Sequence, residues 1–177
     1  MADPKKKAHY INNKEFSLAV VDYVTLANKA KAKGLLYAKK SKIKFFVRNF
    51  KNVNISEKQI IKLLSKFKID LICLAGFMRV ISKKFIKKFK KPILNIHPSL
   101  LPKHKGLNTH KKVLKNNEKF SGATVHLITP KLDSGRIILQ KKVRILKSDN
   151  VKTLKKKILK IEHKIYPKAI LKLLSNL

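Results

Sequence analysis

The stretch Ile93-Leu94-Asn95-Ile96-His97-Pro98-Ser99-Leu100-Leu101-Pro102 joins an apolar run to two polar side chains and a proline-bounded loop. The run predicts a buried β-strand over residues 92–96, which ends where Pro98 removes a backbone donor. Because side chains alternate along a strand, Asn95 and His97 lie on the same face near its carboxyl end. An amide donor beside a titratable imidazole suits acyl transfer, although two satisfied polar groups at a strand end would give the same pattern.

The sequence on both sides of this strand alternates between strand and helix patterns. Other apolar runs predict strands over residues 16–26, 43–47, 70–75, 122–128 and 136–145. Helical patterns cover residues 28–38, 56–67, 82–89, 109–114 and 150–174, with Ser56 and Ser82 as N-caps and Pro167 expected to kink or split the last helix. This alternation predicts an α/β fold with an open, mostly parallel, doubly wound sheet and helices on both faces.

The length and composition predict one globular domain. A chain of 177 residues with 44% hydrophobic residues can bury one core, so we expect a single domain over residues 1–177, with residues 1–15 as a flexible or atypical end. No apolar run approaches the roughly 20 residues that cross a bilayer, and no signal-like apolar stretch follows the charged N-terminus. Cys73 is the single cysteine, which fits a reducing compartment, and we expect a cytoplasmic protein.

The formal net charge of +35 invites a nucleic-acid hypothesis, because such a field attracts polyanions. The 44 basic residues include only four arginines (Arg48, Arg79, Arg136 and Arg144), and specific phosphate and base readers favour arginine. The lysines are spread over most of the predicted helix faces, and the aromatic residues are not interleaved with them as a stacking platform requires. We therefore interpret the charge as a compositional bias and do not expect specific nucleic-acid binding, with a selected polyanion role as the alternative.

Five further segments accompany the Asn95–Pro102 stretch. They are LAGFMR at 74–79, KHKGLNTH at 103–110, SGATVH at 121–126, LDSG at 132–135 and IEHKIYP at 161–167. Together, in order and spacing over about residues 69–170, they resemble the phosphoribosylglycinamide (glycinamide ribonucleotide) formyltransferases. The Asn-x-His-x-Ser-Leu-Leu-Pro pattern is shared by several folate-dependent formyltransferases, whereas Gly-Leu-x-Thr-His and Glu-His-x-Ile-Tyr-Pro point to this member.

The resemblance implies a formyltransferase fold and the transfer of a formyl group from 10-formyltetrahydrofolate to the amine of glycinamide ribonucleotide, in purine biosynthesis. Asn95 matches the donor to the oxyanion, and His97 matches the general acid. Asp133 matches the carboxylate that tunes His97, because a nearby opposite charge favours the protonated imidazole. Taken without the resemblance, Asp133 followed by Ser-Gly is a turn signal.

The resemblance also implies the binding residues, which we expect beyond the carboxyl ends of the strands. The residues that match the folate site are Met78, Arg79, Val80, Ile81, Asn95, Thr129, Pro130, Lys131, Leu132 and Asp133. Those that match the site for glycinamide ribonucleotide are Met78, Pro98 and Glu162, of which Glu162 binds the amine. We expect a structural or supporting role for His126. No metal is expected, because His104, His110 and His163 fit no zinc spacing.

The sequence departs from the family at its N-terminal side. The resemblance implies a first strand followed by a Gly-Ser-Gly-Ser-Asn-Leu loop, whose backbone amides hold the substrate phosphate. This chain has five glycines, of which the first is Gly34, so residues 1–33 offer no such loop. Either residues 16–26 take the place of the missing strand, another chain fills it, or the chain is truncated or diverged.

Several readings of the function therefore stay open. The partners that we expect are the small-molecule substrates, with no membrane, and a homodimer is left open. One alternative is another folate-dependent formyltransferase, acting on methionyl-tRNA or an amino sugar. A second is a catalytically impaired relative that serves as a binding subunit, which the absent glycine loop favours.

Overall fold

The computed structural model describes residues 9–13, 16–20, 24–27, 33–47, 51–77 and 79–175. The elements in chain order are β1 (His9–Asn13), β2 (Phe16–Val20), β3 (Val24–Ala27), α1 (Lys33–Lys40), β4 (Lys44–Val47), α2 (Val53–Lys66), β5 (Ile72–Leu74), α3 (Lys83–Phe89), β6 (Ile93–His97), α4 (Thr109–Lys115), β7 (Phe120–Leu127), β8 (Ile137–Arg144) and α5 (Val151–Leu174). From β3 to β7 strands alternate with helices. The predicted α/β class is confirmed.

The strands are arranged in one four-stranded sheet and two pairs. The larger sheet has the order β5-β6-β7-β8, in which β5 and β6 are parallel while β6–β7 and β7–β8 are antiparallel. β3 and β4 form a parallel pair, and β1 and β2 an antiparallel pair. The mostly parallel pairing that we expected therefore holds for β3–β4 and β5–β6 only. A loop joins β7 to β8 without a crossover helix, and such a connection makes these two strands antiparallel.

Helices cover both faces of β6, as the sequence predicts. Ile93 packs in a cluster with residues of α2 and α3 (Ile60, Ile61, Leu64, Phe85 and Phe89). The next residue, Leu94, is fully buried in a second cluster with α4, α5, β7 and β8 (Val113, Leu154, Ile158, Val125 and Ile138). Because successive side chains point to opposite faces, a strand covered on both sides needs an unbroken apolar run.

One of the two predicted N-caps is correct. Ser82 is the N-cap of α3, where its Oγ accepts a hydrogen bond from the Phe85 N–H at 3.0 Å. The prediction of Ser56 is wrong, because α2 is capped by Asn52, whose Oδ1 accepts from the Ile55 N–H at 3.1 Å. Asn52 supplies the same kind of short acceptor four residues earlier, so Ser56 lies buried within the first turn.

Pro167 does not divide the last helix, in contrast to the prediction. α5 runs from Val151 to Leu174 with Pro167 inside it. A proline removes one intrahelical hydrogen bond, but the residues around it (Ile165, Tyr166, Ala169 and Ile170) are buried in the core. Tertiary packing of this apolar face outweighs the local preference.

The N-terminal side differs from the prediction in two respects. Residues 9–13 form β1, which pairs with β2, although the sequence favoured a flexible end. The single strand expected over 16–26 is divided into β2 and β3, with residues 21–23 outside the described part. Within the described ranges β5 is an edge strand of the four-stranded sheet, and its Cys73 is exposed.

No helix among the described residues is both long and apolar enough to cross a lipid bilayer.

Candidate active site

Three predicted catalytic residues converge at the carboxyl end of β6. Asn95 and His97 lie on one face of this strand, opposite His126 and Thr124 of the neighbouring β7. Asp133 belongs to the turn between β7 and β8, and its Oδ2 lies 3.5 Å from His97 Nδ1. Both side chains of this pair are buried, so their interaction is poorly screened by water.

The His97 ring is held at both nitrogens. Its Nε2 lies 3.0 Å from the His104 carbonyl oxygen, which can only accept, so Nε2 carries a hydrogen and donates it. The other nitrogen, Nδ1, faces the Asp133 carboxylate. Both ring nitrogens of His97 therefore face oxygen atoms of the protein.

His126 fixes the orientation of the Asn95 amide. His126 Nδ1 donates to the Leu127 carbonyl oxygen at 2.9 Å, which leaves Nε2 as an acceptor. Asn95 Nδ2 lies 3.2 Å from this Nε2 and donates to it. Burial lowers the pKa of His126 below its ordinary value, although the Leu127 hydrogen bond and the Asp133 charge oppose this. A neutral His126 suits this arrangement, and the Asn95 amide has a second N–H to offer a ligand.

The turn that carries Asp133 is fixed by backbone constraints. Asp133 adopts a left-handed conformation with φ 43°, and its Oδ2 also accepts from the Gly106 N–H at 2.8 Å. A Cβ on Gly135 would lie 1.8 Å from the Leu127 carbonyl oxygen, so only glycine fits there. The Leu-Asp-Ser-Gly segment is thus a tight turn, and it places a carboxylate beside His97.

A buried hydrogen-bond network sets the loop after β6. Thr124 Oγ1 donates to the Ser99 carbonyl at 2.7 Å and accepts from the Leu101 N–H at 3.1 Å. Ser99 Oγ donates to the Lys103 carbonyl at 2.7 Å. Because Ser99 and Thr124 are fully buried, these bonds are costly to break, and they fix the position of the His104 carbonyl.

The predicted folate residues differ in how they pack and in how exposed they are. Phe77, Ile81 and Ile128, which belong to or adjoin the two predicted folate segments, pack against the same cluster of α2 and α3. Val80 and Leu132 are large apolar side chains that are 72% and 53% exposed. Other members of the set (Arg79, Thr129, Pro130 and Lys131) are exposed, and Met78 lies outside the described residues.

Glu162 lies on α5 at the edge of this centre. Burial raises the pKa of Glu162 to about 7, and Lys155 acts in the opposite direction. Burial also lowers the pKa of His110, to which Lys155 and His97 contribute. The shared influence of Lys155 indicates that the Glu162 region of α5 is near the end of β6. Pro98 follows His97 directly and is half-buried.

Comparison with known sequences identifies the family. A model described as "Formyl transferase" matches residues 5–170. The phosphoribosylglycinamide formyltransferase of Haemophilus influenzae is 39% identical over 148 residues, which cover 82% of this chain and 70% of that protein. The chain belongs to the phosphoribosylglycinamide formyltransferase family. The human trifunctional purine biosynthetic protein adenosine-3 is 41% identical over 157 residues, or 87% of this chain. Those residues are about 15% of the length of the trifunctional relative.

Solved structures of phosphoribosylglycinamide formyltransferases agree with this assignment. The structure from Brucella melitensis is 41% identical with a TM-score of 0.79, and the match covers 85% of this chain and 79% of the other. The structure of glycinamide ribonucleotide transformylase 1 from Symbiobacterium toebii is 35% identical with a TM-score of 0.81, covering 86% and 74%. The formyltransferase fold expected from the sequence is therefore confirmed.

In this member of the phosphoribosylglycinamide formyltransferase family the structure brings Asn95, His97 and Asp133 together. Sequence reasoning did not find the contributions of Gly106 and the His104 carbonyl, because both act through backbone atoms that no side-chain pattern marks. Strand pairing could have found the His126 contact, since its register places it opposite Asn95. Within residues 9–13, 16–20, 24–27, 33–47, 51–77 and 79–175, no three or more His, Cys, Asp or Glu side chains cluster as metal ligands.

Proposed function

We propose that this chain transfers a formyl group from 10-formyltetrahydrofolate to the amine of glycinamide ribonucleotide, a step of purine biosynthesis in the cytoplasm. The observation that carries the proposal is the buried His97–Asp133 pair at 3.5 Å, with the oriented Asn95 amide on the same strand face. Amide donor, imidazole and carboxylate are the groups that formyl transfer between two nitrogens requires.

Each residue has a role in the reaction. The amine attacks the formyl carbon, and the carbonyl oxygen becomes negatively charged as the new C–N bond forms. Asn95 donates its second amide hydrogen to this oxygen, while the first stays on His126. His97 gives its Nε2 proton to the folate nitrogen as the old C–N bond breaks, for which Nε2 exchanges its hydrogen bond to the His104 carbonyl for one to the folate. The proton lost by the amine restores the imidazolium. Asp133 stabilises the imidazolium in both half-reactions.

The surroundings of the centre support the proposed ligands. A pterin needs apolar walls with a few backbone donors and acceptors, and the exposed Val80 and Leu132 beside two ordered loops fit this requirement. Met78, Arg79, Ile81 and Thr129 to Asp133 complete the proposed folate site. Glu162, when ionised, would bind the substrate amine next to Pro98. No metal takes part in this mechanism.

The test is a spectroscopic formyl-transfer assay with both substrates, run beside His97→Ala. We expect the variant to lose about 100-fold or more in kcat, the size of a general-acid contribution, while its affinity for a non-reactive reduced folate is retained. Unchanged turnover in His97→Ala would remove this histidine from the mechanism.

A catalytically impaired binding subunit is the second candidate. It is favoured by one observation, namely that residues 1–33 contain no glycine from which a phosphate-holding loop could form. The same assay separates the two candidates. Measurable folate binding without turnover in the unmodified chain would favour the binding subunit, whereas turnover that depends on His97 would exclude it.

A further inference from the structure

Glu57 is a buried carboxylate that the mechanism above does not use. It lies in the second turn of α2 and is only 8% exposed. Glutamate is almost never fully buried unless it is paired, and in a chain with 44 lysines and arginines a basic partner would be expected. Its hydrogen-bond partner is instead Ser82, whose N–H donates to Glu57 Oε1 at 2.9 Å and whose hydroxyl donates to Oε2.

Ser82 links this carboxylate to α3. The Ser82 Oγ that donates to Glu57 also accepts from the Phe85 N–H at 3.0 Å, as the N-cap of the helix. Phe85 and Phe89 are buried in the same cluster as Ile60 and Ile61 of α2. Glu57 therefore fixes the point at which the chain enters α3, and it does so from a helix that is itself packed on the sheet.

The segment before Ser82 is fixed at both ends. At one end Leu74 of β5 pairs with Asn95 of the catalytic strand. Gly76 then turns the chain with φ 64°, and Phe77 and Ile81 anchor in the core, while Val80 is 72% exposed. At the other end the chain reaches Ser82, which is held by its hydrogen bond to Glu57, 25 residues earlier in the sequence. A segment tethered in this way presents its backbone in one shape.

We infer that Glu57 is a positioning residue that holds Ser82, and with it the chain from Arg79 to Ile81, in the conformation required by the folate donor. The inference rests on the proposed function, because the assignment of residues 78–81 to the folate site comes from it. Glu57 does not touch the reacting atoms. It acts through Ser82, so it should affect the binding of the donor rather than the proton transfer by His97.

A carboxylate has two acceptor oxygens, which here serve the N–H and O–H of a single residue. A glutamine at this position keeps the volume but is neutral and has one acceptor oxygen only. Its NH₂ group can donate to Ser82 Oγ but cannot accept from it, so the charge-assisted hydrogen bond from the hydroxyl is lost. An aspartate is one methylene shorter and cannot reach both atoms without a shift of α2. Glu57→Gln is therefore the variant that weakens the link from Glu57 to Ser82 with the least change in packing.

The experiment measures kcat and KM for both substrates in the full chain and in Glu57→Gln. We expect the KM for the folate donor to rise about 10-fold, with kcat within about 2-fold and the KM for glycinamide ribonucleotide unchanged. Ser82→Ala should show the same split. The double variant should be no worse than either single one, because both changes remove the same link. Ser82→Thr keeps the hydroxyl and should restore the donor KM.

Asn52→Ala is the matched control for stability. It removes the N-cap of the same helix, at the Ile55 N–H, without touching Ser82. We expect it to lower the melting temperature about as much as Glu57→Gln and to leave the donor KM unchanged. If both variants change the melting temperature and neither changes the donor KM, Glu57 has a structural role only and the inference is overturned. If Glu57→Gln does not fold, the comparison of Ser82→Ala with Ser82→Thr decides in the same way.

A binding measurement separates this inference from the proposed function. Calorimetry with a non-reactive reduced folate needs no turnover. If the unmodified chain is active and Glu57→Gln leaves the KM for the folate donor unchanged, only the inference is overturned. If the unmodified chain is inactive but binds the reduced folate, and Glu57→Gln weakens that binding, the proposed reaction is overturned and the inference is supported. A chain that neither turns over nor binds the reduced folate overturns both.

Discussion

Asp133 Oδ2 lies 3.5 Å from His97 Nδ1 and also accepts the Gly106 N–H at 2.8 Å. The second contact holds the carboxylate in place whether or not the imidazole is charged. A charge that is already oriented in a buried site stabilises a developing charge without reorganisation. We therefore expect the contact between these two residues to matter for the catalytic step.

Asp133→Asn tests this relationship. The amide keeps the shape of the side chain but removes the charge that would stabilise the imidazolium, so we expect kcat to fall by about 100-fold. Steady-state kinetics measure the effect. Asp70→Asn is the matched control, because Asp70 is an exposed carboxylate paired with Lys91, and its loss should leave kcat unchanged. Equal kinetics for the two variants would contradict the role of Asp133.

The contact between Asn95 and His126 predicts a non-additive pair. Asn95→Ala removes the oxyanion donor and should lower kcat by about 100-fold or more. His126→Leu removes the group that orients the amide, together with a ring nitrogen that lies 3.8 Å from Asp133 Oδ1, and we expect a loss of about 10-fold. Once Asn95 is replaced, there is no amide for His126 to orient. The kcat of the double variant should therefore match that of Asn95→Ala within about 2-fold. Losses that multiply would show that His126 acts independently of Asn95.

Two glycines should respond differently to alanine. A Cβ at Gly135 would lie 1.8 Å from the Leu127 carbonyl oxygen, whereas a Cβ at Gly76 meets nothing within 4 Å. Gly135→Ala must therefore displace the turn and Asp133 with it. We expect this variant to lose about 3 kcal/mol of stability and to lose activity as well. Gly76→Ala suffers only from its positive φ and should lose about 1 kcal/mol. Thermal unfolding compares the variants, and equal losses would contradict the close approach at Gly135.

The sequence predicts the catalytic part of the fold well because local and tertiary signals agree there. Ser82 has no competing cap nearby, and α3 begins where the sequence indicates. In α2, Asn52 and Ser56 both offer short acceptors, and the choice depends on how the loop before the helix packs. The sequence does not show that β6 and β7 are antiparallel, because α4 lies between them as a crossover helix would.

The supporting residues were harder to predict. Glu57 has the spacing of the buried face of α2, because Ile60, Ile61 and Leu64 follow it at three, four and seven positions. That spacing was a usable signal, but a single acid in a lysine-rich helix is usually an exposed partner of lysine. Only the structure shows that Ser82 is its partner, because the contact joins residues that are distant in the sequence.

Glu162 should couple stability to pH. Burial raises the pKa of Glu162 in the folded chain to about 7 from an ordinary value of 4.5. The folded state therefore binds this proton more tightly than the unfolded state. The stability that Glu162 contributes is fully present below pH 4.5 and is lost as the pH rises through 7. We expect Glu162→Gln, which cannot ionise, to increase the free energy of unfolding at pH 8 by about 1–3 kcal/mol relative to the unmodified chain.

The same substitution should weaken the substrate site. The ionised carboxylate is the form that would bind the amine, so the KM of the unmodified chain for glycinamide ribonucleotide should fall as the pH rises through about 7, and that of Glu162→Gln should be high throughout. Urea denaturation at pH 4 and 8 gives the stability arm, where the two proteins should differ at the higher pH only. A variant that is no more stable at pH 8 would contradict the burial of a charge at this position. An unchanged KM would instead remove Glu162 from the substrate site.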